Sequence, residues 1–327
     1  GNGGNLTVEV AESLTLQDGV RISTSTRGQG NAGNLTVSAR DIEMNGGKTV
    51  LFAVTFAEGN GGNLTVEVAE SLTLQDGAEI STTTHGQGNA GNLTVSARDI
   101  EIRGKSPRNI EIIGQSPDGE NFSGLTAQAT NESTGAAGTI TIYTETLSLR
   151  DEAKITVSSA SQQAAGDLII NSNNIRLENQ ASLQAETQAG DKGSITINNN
   201  KDLILRENSK ITTNATGTAT GGNITINTEN LVAPDNSDIS ANAVEAFGGR
   251  VNITTAGIFG TEFRPNQTNK SDITATSALG AQFSGEVNIN TPDVDPSDGL
   301  IEFDDTIPDV SNLLNQNLCQ QGKNSKF

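Results

Sequence analysis

The sequence predicts an all-β fold, a parallel β-helix of about ten coils with three short strands in each. Three observations carry this. Residues 59–102 repeat residues 1–44 with five changes (Val20/Ala78, Arg21/Glu79, Ser25/Thr83, Arg27/His85, Met44/Ile102), and a half-matching copy starts at residue 31. A phrase repeated end to end is a building block that stacks, rather than a unique active site. The first apolar residue of each copy falls at Leu6, Leu35, Leu64, Leu93, Ile140, Leu168, Ile195, Ile224, Val251 and Val287, at intervals of 27–29 residues apart from one of 47 and one of 36. Within each copy apolar and polar residues alternate. In Leu64-Thr65-Val66-Glu67-Val68 the period is two, so Leu64, Val66 and Val68 point inward and Thr65 and Glu67 outward.

The other strands follow the same logic. A second strand starts at Leu14, Ile42, Leu72, Ile100, Leu147, Ile175, Leu203, Leu231 and Ile258. A third starts near Ile22, Val50, Ile80, Leu125, Ile155, Leu183, Ile211, Ile239 and Ile273. Stacked coils place like residues above one another, and each strand pairs in parallel with its counterpart in the next coil, giving three sheets around a dry core. Ten coils at ~4.8 Å make a rod roughly 45–50 Å long.

Two columns mark the turns. After the second strand come Asp18-Gly19, Gly46-Gly47, Asp76-Gly77, Gly104-Lys105, Asp151-Glu152, Asn179-Gln180, Glu207-Asn208 and Asp235-Asn236, mostly pairs that suit a tight corner with positive φ. A calcium ladder is the alternative, but neutral coils interrupt the acidic ones and the glycine-rich calcium nonapeptide is absent. Before the first strand stand Asn5, Asn34, Asn63 and Asn92, each followed by Leu-Thr. Each matches a glycosylation sequon, yet a row repeated coil by coil reads more simply as a stacked asparagine ladder.

The irregular intervals locate two insertions, 103–123 and 259–271, both at the corner between second and third strands. The first carries Arg103, Lys105 and Arg108 in an otherwise acidic chain; the second carries Phe259, Phe263, Arg264 and Lys270. Insertions on one side of a solenoid can build a binding face, so these seven residues are the candidate binding edge. The solenoid itself spans 1–290. The proline-containing segment 291–327 reads as a cap over the last coil followed by a loose tail.

Composition narrows the function classes. The formal net charge is −19, which argues against binding nucleic acid and against bare anionic membranes. One cysteine, Cys319, supports neither a disulfide framework nor a cysteine zinc site. No run is apolar enough for a membrane-spanning helix. Catalysis is not expected, and no cofactor or metal is called for. Glu9 and Glu67 lie two coils apart with Ser38 between them, a diluted row rather than an acid–base pair, and the one histidine, His85, is replaced by Arg27 in the duplicate coil. Outward hydroxyl rows at Ser23/Ser25, Ser81/Thr83, Thr156/Ser158 and Thr274/Thr276 are interrupted at Leu51/Ala53 and Gln184/Glu186, too irregular for a lattice-matching ice-binding face.

The repeat GGNLTVEVAESLTLQDGAEISTTTHGQGNAGNLTV resembles cyanobacterial filamentous-haemagglutinin-type exoproteins. So do GQSPDGENFSGLTAQAT, SDISANAVEAFGGRVNITTAGIFGTEFRP, SDITATSALGAQFSGEVNINTPDVDPSDGL and the Cys319 tail. The resemblance covers essentially the whole chain. It implies a right-handed β-helix and two-partner secretion through an outer-membrane barrel, by way of an N-terminal secretion domain that these residues do not include. It also implies an extracellular or outer-surface destination. The function expected on this basis is a structural or adhesive exoprotein whose rod presents loops for attachment to cells or surface glycans. The alternative is a polysaccharide-binding or polysaccharide-cleaving β-helix.

Overall fold

In the computed structural model, which describes residues 1–106, 122–190 and 193–291, the repeated phrase is one turn of a parallel β-solenoid. All of these residues belong to one unit, Gly1–Thr291. Coil 3 shows the plan: strands Leu64–Val68, Ser71–Gln75 and Glu79–Thr84, separated by two short turns. Ten first strands stack in parallel, from Leu6–Glu9 to Glu286–Asn290, and nine are followed by both other strands. The unit thus holds nine full coils and the start of a tenth, close to the ten expected.

Burial follows the alternation. Leu64 and Val66 are fully buried while Glu67 is exposed. Leu35, Leu64, Leu93, Ile140 and Leu168 lie in register one above another, as do Val37, Val66, Val95, Ile142 and Ile170. Each buried aliphatic chain contributes about 1.5–3 kcal/mol, and stacking like on like keeps every layer the same width.

The three expected sheets are two. First and second strands join in one 17-stranded sheet, here sheet A, and third strands form a 10-stranded sheet B. The reason lies in coils 8 and 9, where Asn223–Val232 and Arg250–Phe259 run straight through both positions with no turn between them. The third strand of coil 2 also needs correction. Its partner for Ile22 is Leu51, not Val50, so Leu51 and Ala53 are fully buried in the core and Phe52 and Val54 take the outward places. The VLFAVT run offers apolar residues to both faces, and only pairing to the flanking coils decides between them.

The corner column behaves as its residues demand. Asp18, Asp76, Asp151, Glu152, Asn179, Gln180, Glu207, Asn208, Asp235 and Asn236 all have φ between 49° and 66°. Gly77 follows Asp76 at φ 91°, and its amide donates to Ser123 Oγ at 2.9 Å. A Cβ there is strained, so Gly77→Val is expected to cost about 1–2 kcal/mol, whereas Gly28→Ala, in open space, should be near neutral. Denaturant midpoints of the two variants check this.

The asparagine row forms a ladder, though through the main chain. Asn5 Oδ1 accepts the amide of Asn34 at 2.9 Å, Asn34 that of Asn63 at 3.0 Å, and Asn63 that of Asn92 at 2.9 Å. A second ladder runs beside it through Asn2, Asn31, Asn60 and Asn89.

A glycine column sits next to them: Gly33, Gly62, Gly91, Gly138, Gly166, Gly222, Gly249 and Gly285, each two residues before the first apolar residue of its first strand. A Cβ on any of these would lie 1.7–2.1 Å from the carbonyl oxygen of the glycine one coil earlier. Backbone meets backbone here, and only glycine leaves room.

Candidate functional site

The seven candidate edge residues do not converge. Arg103 is the last residue of strand Asp99–Arg103 rather than part of a loop, and its Nε donates to Gln75 Oε1 at 3.0 Å. Lys105 pairs with Glu152, and its backbone bridges antiparallel to Phe122, which ties the two ends of the first insertion together. Arg108 lies outside the described residues, as does segment 292–327 with Cys319.

The second insertion is structural. Phe259 ends a strand, and Glu262–Phe263 pairs in parallel with Asp272–Thr274 as the outermost strand of sheet B. Arg264 spans Glu262 and Asp272, and its main-chain amide donates to Ile273 at 3.2 Å. Burial pushes the Asp272 carboxyl up, but the Thr268 amide and the Arg264 guanidinium outweigh it and hold the group below the usual carboxylate range. This segment therefore covers the open end of sheet B with a charged, self-paired strand, a standard protection for an edge. Phe259 and Phe263 remain about half exposed, and Lys270 is exposed.

His85 is also placed by packing. Its ring stacks on Phe56 at 5.1 Å and Arg27 lies over the other part of this column, 5.0 Å from the Phe56 centroid. Burial lowers the imidazole's pKa, with Glu132 opposing it. Glu9, Ser38 and Glu67 lie side by side in register, as the spacing predicted. Among the described residues, no three histidine, cysteine, aspartate or glutamate side chains gather to hold a metal, and no helix is long and apolar enough to cross a membrane.

A concavity lies elsewhere, on the outward side of sheet B. A groove of about 320 Å³ crosses coils 4–7, lined by Gln128, Ser158, Ser159, Glu186, Thr187, Gln188 and Thr216 with Ala129 and Ala160. The solenoid positions these side chains by register. Ala129, Ser159, Thr187 and Ala215 bridge one to the next where the third strands end, so each coil delivers its neighbouring residues to the same wall. Ser158 Oγ pairs with Thr156 Oγ1 at 2.8 Å and accepts the Glu186 amide at 3.3 Å. Thr212 Oγ1 donates to Glu186 Oε1 at 2.9 Å. Gln128 is 3 % exposed, its Nε2 reaches only Thr156 Oγ1 at 3.5 Å, and its Oε1 has no partner.

A second hollow, of about 360 Å³, surrounds the exposed Tyr143. Its amides bond to one another: Asn198 donates to Asn171 at 3.1 Å and Asn200 to Asn173 at 2.8 Å. The groove on sheet B differs in keeping a buried acceptor unused.

Sequence reasoning passed over this groove. Its signal was the break in the hydroxyl row at Gln184/Glu186, read there as irregularity. Farther along the same row Asn214 Oδ1 and Asn242 Oδ1 accept the main-chain amides of Asn242 and Thr276. In coils 4–6 Gln128, Ser158 and Glu186 stand in that row instead. Comparison with protein-family models, curated proteins and solved structures finds no match to this chain.

Proposed function

We propose that the chain is the rod of a secreted or surface-displayed exoprotein of the filamentous-haemagglutinin type, built to hold an attachment surface in a stiff, extended array. The observation that carries this reading is the in-register parallel stacking of ten first strands, with coils so close that only glycine fits between them. Such a stack resists bending and grows by adding units, which suits a spacer better than a reaction vessel. The outward rows of Thr, Asn and Ser, and the sequence resemblance, support the same reading. Export through an outer-membrane barrel and an extracellular position belong to this proposal, and cells or surface glycans are the partners it names.

Beads carrying the full chain should be retained on bacterial cells or glycan-coated surfaces well above beads carrying albumin. Equal retention of the two on every surface would end the attachment reading.

A further inference from the structure

We infer that the outward face of sheet A around Tyr143 binds a neutral glycan, the phenol ring stacking on one sugar and the asparagine rows beside it bonding the hydroxyls of its neighbours. This rests on the attachment reading and names the ligand class and the place where it sits.

The ring is the anomaly. Tyr143 is the chain's one tyrosine, and it stands 52 % exposed at the end of strand Ile140–Tyr143. Its register partners are Ser96 and Asn171, so the flanking coils place small polar groups where coil 5 places a ring. Among the described residues, neither another ring nor a cation stacks on it. An exposed ring gains by having its face covered. That face is electron-rich and suits the polarised C–H groups of a sugar ring.

Two asparagine rows run from the ring along the rod. In one, Asn227 donates to Asn198 and Asn198 to Asn171, both at 3.1 Å. In the other, Asn200 donates to Asn173 at 2.8 Å. These bonds hold the amides in place without exhausting them. A side-chain amide has two N–H donors and two acceptor lone pairs. Asn198, in mid-row, therefore keeps one N–H and one lone pair, and Asn171, beside Tyr143, keeps both N–H groups. Asn198 and Asn200 are exposed, and Asn171 and Asn173 line the same hollow. Amides already ordered by their neighbours lose little freedom when a ligand arrives.

The lining selects the ligand. The hollow of about 360 Å³ presents one phenol, the hydroxyls of Thr144 and Ser172, and four asparagine amides, with no charged side chain. An anionic ligand finds no cation in this lining and meets a chain of net charge −19. An apolar ligand covers the ring but strips water from the amides and returns no bond. An extended peptide binds through main-chain bonds at a sheet edge, whereas this strand is paired on both sides. A neutral sugar offers both a C–H face for the ring and hydroxyls that donate to and accept from the amides. The rows repeat at ~4.8 Å per coil, a step comparable to the advance of one sugar along an extended glycan. From Tyr143 to Asn227 is three such steps, roughly 14 Å, which suits a short linear oligosaccharide lying along the rod.

The chain has one tyrosine and no tryptophan, so tyrosine emission reads this site alone. The full chain is titrated with neutral oligosaccharides of glucose, mannose and galactose, and with oligogalacturonate as the acidic control. At least one neutral oligosaccharide should change the emission saturably, with the same midpoint by calorimetry, and oligogalacturonate should do neither. Tyr143→Ser, which copies Ser96 of the preceding coil, should weaken that binding at least about tenfold and leave the unfolding midpoint unchanged. Tyr143→Phe should keep most of the affinity, and Asn198→Ala should lose about fivefold, as for one hydrogen bond. A Tyr143 that serves only the fold would lower the midpoint in Tyr143→Ser and leave affinity intact. If Tyr143→Ser fails to fold, the parent's emission and the affinity of Asn198→Ala decide the matter. The proposal fails if no neutral oligosaccharide binds, if the acidic one binds as well, or if binding leaves the emission unchanged. Beads of Tyr143→Ser that attach as firmly as the parent's would overturn the site and leave the attachment reading standing. Saturable binding at Tyr143 by a chain whose beads attach to no surface would do the reverse.

Discussion

Replacing Glu79 by glutamine is expected to stabilise the protein by about 3 kcal/mol at pH 8 and to change it little below pH 4.5. Glu79 stands at the first outward position of the third strand in coil 3, between Val50 and Gly124 of the flanking coils. It is only 3 % exposed, and its Oε1 has no hydrogen-bond partner. All six residues of Glu79–Thr84 and all six of Gly124–Ala129 are buried, so this part of sheet B is withdrawn from solvent on both faces. Phe122 covers part of it. A Cβ on Gly124 would strike the Phe122 ring at 2.8 Å, and Lys154 Nζ lies 5.0 Å from the ring centroid.

Burial pushes the Glu79 carboxyl from 4.5 up to about 7, and the nearby hydroxyls of Thr126 and Ser81 pull it back only in part. Between those two values the folded chain holds a proton that the unfolded chain has released. Stability from this group is therefore greatest below pH 4.5, falls as pH rises, and reaches its full penalty above pH 7. That interval corresponds to about 3 kcal/mol. Glutamine keeps the shape and removes the titration. Denaturant unfolding from pH 4 to 9, with amide exchange in Glu79–Thr84 as the local readout, should show the variant and the parent diverging across this window. A difference that does not vary with pH would show that Glu79 does not titrate as a buried acid.

Substituting alanine for Gly62 is expected to destabilise the solenoid by at least about 3 kcal/mol, beyond most overpacking changes because the obstacle is main chain. The added Cβ would lie 1.9 Å from the Gly33 carbonyl oxygen and 2.6 Å from its carbon. Neither can move without disturbing the adjoining ladder, in which the Asn63 amide donates to Asn34 Oδ1 at 3.0 Å. Gly28→Ala, with nothing near its Cβ, is the matched control. Amide exchange should show protection lost first in coils 2 and 3, since each coil depends on its neighbours. Equal midpoints for Gly62→Ala and Gly28→Ala would mean that the coils can separate at this corner without cost.

The glycine column was fully present in the sequence: a glycine stands two residues before the first apolar residue of every first strand, from Gly4 to Gly285. It passes unnoticed beside the asparagines because glycine carries no pattern of its own. Its meaning comes from the distance to the coil below. The Asp-Gly and Asp-Asn corners were legible for the opposite reason, since positive φ is a property of one residue and its neighbour. Glu79 shows the limit. Alternation places it outward, like its duplicate Arg21, and outward positions are ordinarily wet. Arg21 is exposed and Glu79 is buried, and nothing within the repeat distinguishes the two.

The candidate site divides along the same line. The insertions at 103–123 and 259–271 stood out as irregular in length, and length is a sequence property. Their use was not. Glu262–Phe263 becomes an edge strand because Asp272–Thr274 had an open side and Arg264 could reach Asp272 across the turn. The groove on sheet B had no length signal at all, because Gln128, Ser158, Glu186 and Thr216 are each ordinary in their own coil.

By itself, the sequence determined the period, the inside and outside of each strand, and the residues at each corner, because these depend on contacts within one coil and on its identical neighbours. The tertiary structure decided the merging of two strand rows into sheet A, the one-residue register at Leu51, the buried state of Glu79 and the gathering of the groove. Each of these depends on how different coils meet, and a repeat describes only how like coils do.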